Sequence, residues 1–303
     1  MKLIGIMPVR NEDWVLGLSL RAALMWCDHI VVLLHASTDR SLEIVAEVNR
    51  DDHRVVICHR MQTVWEEMSH RQALLDTARA AGATHIAMID ADEVLTGNLL
   101  PTIRETIASG TPGVVLQLPW LALPRRTDRY LTSGVWGPGQ QVSMAFKDTP
   151  AAHWALHGGR DFHHRNPMGV VRSFRTPMKP ADGGLMHLQF LSERRLRAKQ
   201  ALYKATEVLR WPAPCVLEGA PCHTHKQLAE RLNWMYGRAV YESDPEKYSS
   251  AATPVSWWES YSGLMQYLDL SENAQTWQEL ELKRLIAEHG AQKFAGLDFF
   301  GVC

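Results

Sequence analysis

The chain has 303 residues, 46% of them apolar and 21% charged, with a formal net charge of -1. That length supports a substantial core, as one large α/β domain or one such domain with a helical extension, and excludes a minimal peptide-like module. The near-neutral balance supplies no global basic field for a nucleic acid or an anionic membrane, although a local basic groove is compatible with it.

The opening MKLIGIMPVRNEDW reaches Arg10, Asn11, Glu12 and Asp13 too soon for a secretory apolar segment. No later run approaches the roughly 20 predominantly apolar residues of a spanning helix. The expectation is a cytoplasmic enzyme without integral membrane association. Five cysteines suit a reducing compartment better than an obligate disulfide scaffold.

KLIGIMP, HIVVLLH, RVVICH and THIAMID read as four strands, separated by helices over residues 14–25, 41–49 and 66–80. Repeated strand, helix, strand order predicts an α/β fold with a mostly parallel sheet flanked by helices, because each crossover helix covers a sheet face. Chemistry is then expected at strand ends, where turns gather polar groups beside a ligand. Residues 99–108 read as another helix, with strands at GVVLQLPW (113–120) and QVSMAFK (141–147). Between these two, PRRTDRYLTSGVWGPG is either a substrate-facing excursion or a solvent-facing loop. HWALHGGRDFHHRNPMGVV and GGLMHLQF continue as loops and strands of the same domain. From Leu191 onward, repeated apolar positions predict amphipathic helices. We therefore expect residues 1–190 to be the catalytic domain and 191–303 a mainly helical extension, with completion of the acceptor pocket as one role for it.

The fourth strand runs into HIAMIDADEVLT, residues 85–96, and presents Asp90, Asp92 and Glu93. If the strand continues, Asp90 and Asp92 point to one side, since side chains repeat every two residues. If it ends near Asp90, the turn aims both carboxylates at a cation from different directions. Either way the oxygens suit a hard divalent cation such as Mg²⁺ or Mn²⁺, which also bridges diphosphates. Taken alone, the same triplet fits an acidic turn cap.

In context the sequence resembles the GT-A nucleotide-sugar glycosyltransferases, especially the family 2-like group. The resemblance spans about the first 190 residues and rests on PVRNE (8–12), ASTDRS (36–41), HRQALLDTARAAGATHIAMIDADE (70–93) and HLQF (187–190). It implies a GT-A-like donor-binding domain in which Asp90 and Asp92 form a DxD motif, acting through Mn²⁺ or Mg²⁺ on the diphosphate of a nucleotide sugar. Glu93 then positions the loop, Arg71 approaches the donor phosphates, and His187 completes the metal or diphosphate site. Pro8, Arg10, Asn11 and Glu12 support the nucleotide, with capping of the next helix as the alternative. His35 stands where many relatives carry an acidic residue contacting the base, which weakens a specific UDP assignment. Asp39 is a donor contact or a helix cap.

The reaction implied is attack by an acceptor hydroxyl on the anomeric carbon, with inversion. The metal and Arg71 stabilise the leaving diphosphate and a carboxylate takes the proton. Asp182 and Asp161 are the candidate bases, each equally suited to capping a turn. The expected acceptor is a carbohydrate or glycoconjugate, with modified DNA as a minor alternative. A noncatalytic nucleotide-sugar-binding protein and a nucleotidyltransferase are the competing readings. Two further clusters, His153, His157, His163 and His164 with Arg160, and Cys215, Cys222, His223 and His225, lack zinc-motif spacing. RRLRAK (194–199) reads as a charged helix face. The donor base, the sugar and the oligomeric state are left open.

Overall fold

The computed structural model describes residues 1–156, 165–170, 172–217, 219–271 and 275–303. Met1–Leu121, Gly139–Leu188 and Thr253–Asp269 form one compact unit, and Ala122–Pro138, Gln189–Ala252 and Leu270–Cys303 a second. One junction between the units falls at residues 188–189, while 122–138 and 253–269 each belong to a different unit from their flanking segments.

In the first unit β1 (Leu3–Val9) is buried along its whole length, as a strand covered on both faces must be. It is followed by α1 (Asp13–Leu24), β2 (His29–His35), α2 (Ser41–Asp52), β3 (Val55–Arg60), α3 (Glu67–Ala80) and β4 (His85–Met88). Strand alternation divides the apolar residues between two cores. Leu3, Met7 and Val9 pack with Leu16 and Leu20 of α1 and Val45 and Val48 of α2. Ile4 and Ile6 join Leu74, Leu75 and Ala78 of α3 on the other face. Each such fully buried aliphatic side chain contributes about 1.5–3 kcal/mol.

The chain continues with β5 (Glu93–Leu95), α4 (Ile103–Ala108), β6 (Val114–Ala122), β7 (Arg129–Leu131), β8 (Gln141–Lys147), β9 (Arg172–Arg175) and β10 (Leu185–His187). Among the described residues the central sheet has nine strands, ordered β3-β2-β1-β4-β8-β6-β10-β5, with β9 beside β6. β3, β2, β1 and β4 are mutually parallel, whereas β8 runs antiparallel to both β4 and β6. The sheet is therefore mixed, with its parallel half formed by the four strands expected from the sequence.

β1 leads outward to β2 and β3 on one side and has β4 on the other, so the strand order reverses at β1. The crevice beyond the carboxyl ends of β1 and β4 is where such sheets bind ligands. Pro8 is tolerated in this central strand for a local reason. Ile6 faces β4, accepting from Ile89 N–H at 3.1 Å. Pro8, two residues on, faces the same side, but β4 pairing stops at Ile6↔Met88. Its missing N–H therefore leaves no ladder position empty.

The second unit holds β7, α5 (Glu193–Arg210), β11 (Cys215–Leu217), β12 (Ala220–Cys222), α6 (His225–Tyr241), β13 (Ser250–Ala252) and α7 (Trp277–His289). Its helices begin where side chains satisfy free backbone N–H groups: Ser192 accepts from Arg195 N, while Thr224 with Gln227 and Thr276 with Glu279 form capping boxes. This is the helical C-terminal region that the sequence periodicity predicts. No helix among the described residues is long and apolar enough to cross a membrane.

Candidate active site

At the carboxyl end of β4 the chain turns through residues 89–92 into β5. The turn closes reciprocally: Glu93 N–H donates to Asp90 O and Asp90 N–H donates to Glu93 Oε2, both at 3.0 Å. Glu93 is fully buried and pairs with His187 in the antiparallel register of β5 and β10. Leu188 N–H donates to Asp92 O at 2.8 Å, so the main chain fastens His187 beside Asp92. Their side chains stand with His187 Nε2 3.6 Å from Asp92 Oδ2. Trp120 of β6 spans both halves, stacking on the His187 ring at 4.3 Å and 13° and donating its indole N–H to Glu93 Oε1 at 3.0 Å.

Two guanidiniums face these carboxylates. Arg71, 4% exposed on α3, donates from Nε to Glu67 Oε1 at 2.8 Å and from Nη2 to Asp90 Oδ1 at 3.4 Å. Its Nη1 is buried without a hydrogen-bond partner among the described residues. A buried donor on a permanent cation is costly to leave unpaired, and it marks a position suited to an anionic ligand. Arg165 donates from Nη1 to Glu93 Oε1 at 2.7 Å and Asp90 Oδ2 at 3.2 Å. Its Nη2 donates to Glu93 Oε2 at 2.7 Å and to Met88 O, and its Nε donates to Ser143 O at 2.7 Å. Burial pushes the Asp90 carboxyl upward, but Arg165 and Arg71 outweigh it and hold the group below the ordinary carboxylate value. Burial likewise disfavours the charge on Arg165, and Glu93 and Asp90 outweigh that to hold the guanidinium above its ordinary value. The arrangement is a preorganised, charge-dense cluster at a strand end, with the chemistry to position phosphate oxygens and their counter-charges.

The sequence model of glycosyl transferase family 2 matches residues 6–160, just over half of the chain. The chain belongs to glycosyl transferase family 2. It is therefore a sugar-transfer enzyme with a GT-A-like α/β fold. Comparison with curated proteins finds no match. Among solved structures, the chain is similar to S. aureus TarS 1-349 at 14% identity and TM-score 0.40, over 97% of this chain and 89% of that one. A second S. aureus TarS structure is matched at 14% identity and TM-score 0.42, over 97% of this chain and 54% of that one. A 4-diphosphocytidyl-2C-methyl-D-erythritol synthase is matched at 15% identity and TM-score 0.32, over 48% of this chain and 75% of that one.

The candidate donor-site residues read from the sequence fall in three places in this unit. Arg71, Asp90, Asp92 and His187 lie around the β4 turn described above. Arg10 and His35 lie under residues 61–66: Arg10 Nη1 donates to Thr63 O at 2.9 Å, and His35 Nε2–H donates to Val64 O at 3.1 Å. His35, Trp65 and His70 form an aromatic cluster with centroid separations of 4.5 to 5.1 Å. Burial lowers both His35 and His70 to about 4 from the ordinary 6.5, with Arg10 adding to the effect on His35 and the neighbouring His35 to that on His70. Asn11, Glu12 and Asp39 tie the loops after β1 and β2 together. Asn11, at φ 55°, accepts from Thr38 N at 2.6 Å and Asp39 N at 3.2 Å. Asp39 accepts from Asp13 N and Ser41 N, both at 2.9 Å, and Glu12 N–H donates to Ser41 Oγ at 3.0 Å.

The two candidate bases lie elsewhere. Asp182 is exposed, and its carboxylate accepts from Lys179 N at 3.0 Å, capping its own short turn. Asp161, like His157, Arg160, His163 and His164, falls outside the described residues. Arg165 and Trp120 were not singled out from the sequence. Neither belongs to a recognisable motif, and both reach the turn through tertiary placement, from 75 and 27 positions away.

A divalent cation is implied by the family resemblance rather than by a cluster of ligands. Among the described residues no group of three or more His, Cys, Asp or Glu is placed to hold a metal ion. The donor chemistry nonetheless fits one. Two atoms bound at about 2.1 Å to one ion lie no more than about 4.2 Å apart, and Mg²⁺ commonly takes one or two protein carboxylates plus substrate phosphates. Asp92 with His187, at 3.6 Å, meets that condition, and the buried Nη1 of Arg71 is a place for a phosphate oxygen.

Proposed function

We propose that this family 2 enzyme is metal-dependent and moves a sugar from a nucleoside-diphosphate donor to the hydroxyl of a carbohydrate or glycoconjugate, with inversion. The observation that carries the reading is the buried Nη1 of Arg71, without a hydrogen-bond partner among the described residues, beside the Asp90 turn and at the crevice where α/β sheets bind ligands. Met1–Leu121 and Gly139–Leu188 would form most of the donor-binding and catalytic domain.

In this mechanism Arg71 binds a phosphate oxygen through Nη1 and stays oriented by Glu67 and Asp90. Glu93, locked by Arg165 and Trp120, holds the turn so that Asp90 and Asp92 keep fixed directions. Asp92 and His187 would hold Mn²⁺ or Mg²⁺, with Asp90 joining them. The ion, when bound, supplies positive charge against the leaving diphosphate. Arg10 and His35, at the ends of β1 and β2, stand where the base and ribose are read. Their tie to residues 61–66 makes that segment part of the nucleotide pocket. His35 brings a neutral imidazole to this position in place of a carboxylate, so base choice rests on neutral hydrogen bonding and aromatic contact. Asp182 is retained as the proposed proton acceptor, with Asp161 as the alternative.

The capping bond that Asp182 makes within its own turn favours a second reading, a noncatalytic nucleotide-sugar-binding protein. A screen of nucleotide sugars with Mn²⁺ and Mg²⁺, followed by mass measurement on mixed carbohydrate, lipid, protein and modified-DNA acceptors, separates the two. A glycosylated product that disappears on chelation and in Asp90→Asn supports transfer. Bound donor without turnover would make the protein a binding module, and a nucleotide conjugate would make it a nucleotidyltransferase.

A further inference from the structure

We infer that Arg165 is a built-in counter-cation: its guanidinium occupies the acidic turn in place of a divalent ion, so that metal and nucleoside diphosphate bind as a coupled pair and neither binds tightly alone. This rests on the donor-site reading above.

The argument begins with hydrogen-bond capacity. A guanidinium has five N–H groups, and Arg165 makes five contacts: Asp90 Oδ2, both oxygens of Glu93, and the carbonyls of Met88 and Ser143. The side chain is 13% exposed and the Glu93 side chain is 0% exposed, so the pair is screened little by solvent. On the opposite side of Asp90, Arg71 approaches Oδ1. Both oxygens of Asp90 and both of Glu93 therefore already face a guanidinium, and a metal would be held by Asp92 and His187, 3.6 Å apart.

A divalent ion entering this state takes two protein ligands and meets the like charge of two buried arginines. Both terms oppose binding of the ion alone. A diphosphate changes both. It brings its own oxygen ligands to the ion, and its negative charge offsets the two guanidiniums, with Arg71 Nη1 as a ready donor. The diphosphate alone meets the carboxylates of Asp90, Asp92 and Glu93, which the ion in turn offsets. Each ligand thus supplies what the other lacks, and by linkage the tightening is reciprocal. Arg165 sets the size of this coupling because it is the cation that must share Asp90. No sequence-local constraint puts it there, since the contact spans 75 positions.

The test reads metal binding without needing activity. Free Mn²⁺ is followed by electron paramagnetic resonance during titration of the wild type, Arg165→Gln and Arg165→Lys, first without nucleotide and then with UDP, GDP, CDP, dTDP or ADP. Arg165→Gln is expected to bind Mn²⁺ alone at least about tenfold more tightly than the wild type, with Arg165→Lys close to the wild type because the charge remains. In the wild type, at least one nucleoside diphosphate should tighten Mn²⁺ at least about tenfold, and the same nucleotide should do so less in Arg165→Gln. Equal Mn²⁺ affinity in wild type and Arg165→Gln, or no Mn²⁺ binding by either, overturns the inference. Should Arg165→Gln fail to fold, the wild type alone decides: nucleotide and Mn²⁺ affinities that do not depend on each other overturn it. Failure of every nucleoside diphosphate to bind, with the metal-only difference intact, would instead count against the donor reading.

Discussion

At the scale of single residues, the site is defined by what surrounds each charge. Asp90 sits between Arg71 and Arg165, which hold its carboxyl below the ordinary value despite burial. Its contribution to stability is therefore present above the ordinary carboxylate value and is lost as pH falls through the folded-state value. His35 and His70 act in the same direction, through burial of a neutral ring rather than through pairing of a charge. Each is buried, and each is lowered from 6.5 to about 4. Between those limits the unfolded chain binds more protons, so stability rises with pH across that window and falls on acidification. Urea unfolding midpoints at pH 7 and pH 5 should show a lower value at pH 5, and His70→Phe should shrink the difference. A midpoint unchanged between the two pH values would contradict the burial of these imidazoles. Asp90, Asp92, Arg71 and His187 were picked out in the sequence by a strand-end acidic pattern and a family resemblance, and the fold gathers them around one turn. Arg165 and Trp120 were not legible there, because a guanidinium or an indole that reaches a turn from another part of the chain leaves no local pattern. Asp39 was read as either a donor contact or a helix cap, and its bonds to Asp13 N and Ser41 N place it between two loops.

At the scale of elements, β1 to β4 were legible because fully buried parallel strands are nearly continuous apolar runs bounded by turns. The runs at β6 and β8 were equally visible, but strand direction depends on the path of the connections, and β8 enters antiparallel to both neighbours. The seating of β10 beside β5 depends on two glycines that sequence patterning does not explain. Gly183 has φ 120°, and a Cβ there would stand 2.6 Å from Thr96 Oγ1. At Gly184 a Cβ would stand 2.2 Å from Pro119 O, a backbone atom one residue before Trp120. Gly184→Ala must therefore push β10 away from β6, carrying His187 from Trp120. We expect a loss of about 1–3 kcal/mol in stability, read as a lower thermal midpoint, together with a larger proportional loss of transfer activity. Unchanged stability in Gly184→Ala would show that β10 is not seated against β6 in this way.

At the scale of the molecule, the chain belongs to glycosyl transferase family 2, and the reversal of strand order at β1 marks the crevice beyond the ends of β1 and β4. The first unit brings the ends of β1, β2 and β4 to that crevice. It sets the His35 and His70 aromatic pair at one place and the charged β4 turn at another, the proposed base and phosphate sides of the donor site. The second unit carries the C-terminal helices, with 122–138 belonging to it and 253–269 to the first unit, an interleaving that a linear change in composition does not reveal. The central claim is that the β4 turn binds the donor diphosphate through Arg71. It is tested most directly by calorimetric titration of the wild type and Arg71→Met with UDP, GDP, CDP, dTDP and ADP in the presence of Mn²⁺. We expect at least one nucleoside diphosphate to bind the wild type and to lose roughly tenfold or more in affinity in Arg71→Met, the consequence of removing a charge-assisted bond worth about 1.5–3 kcal/mol. Equal affinity in a folded Arg71→Met protein would contradict the claim.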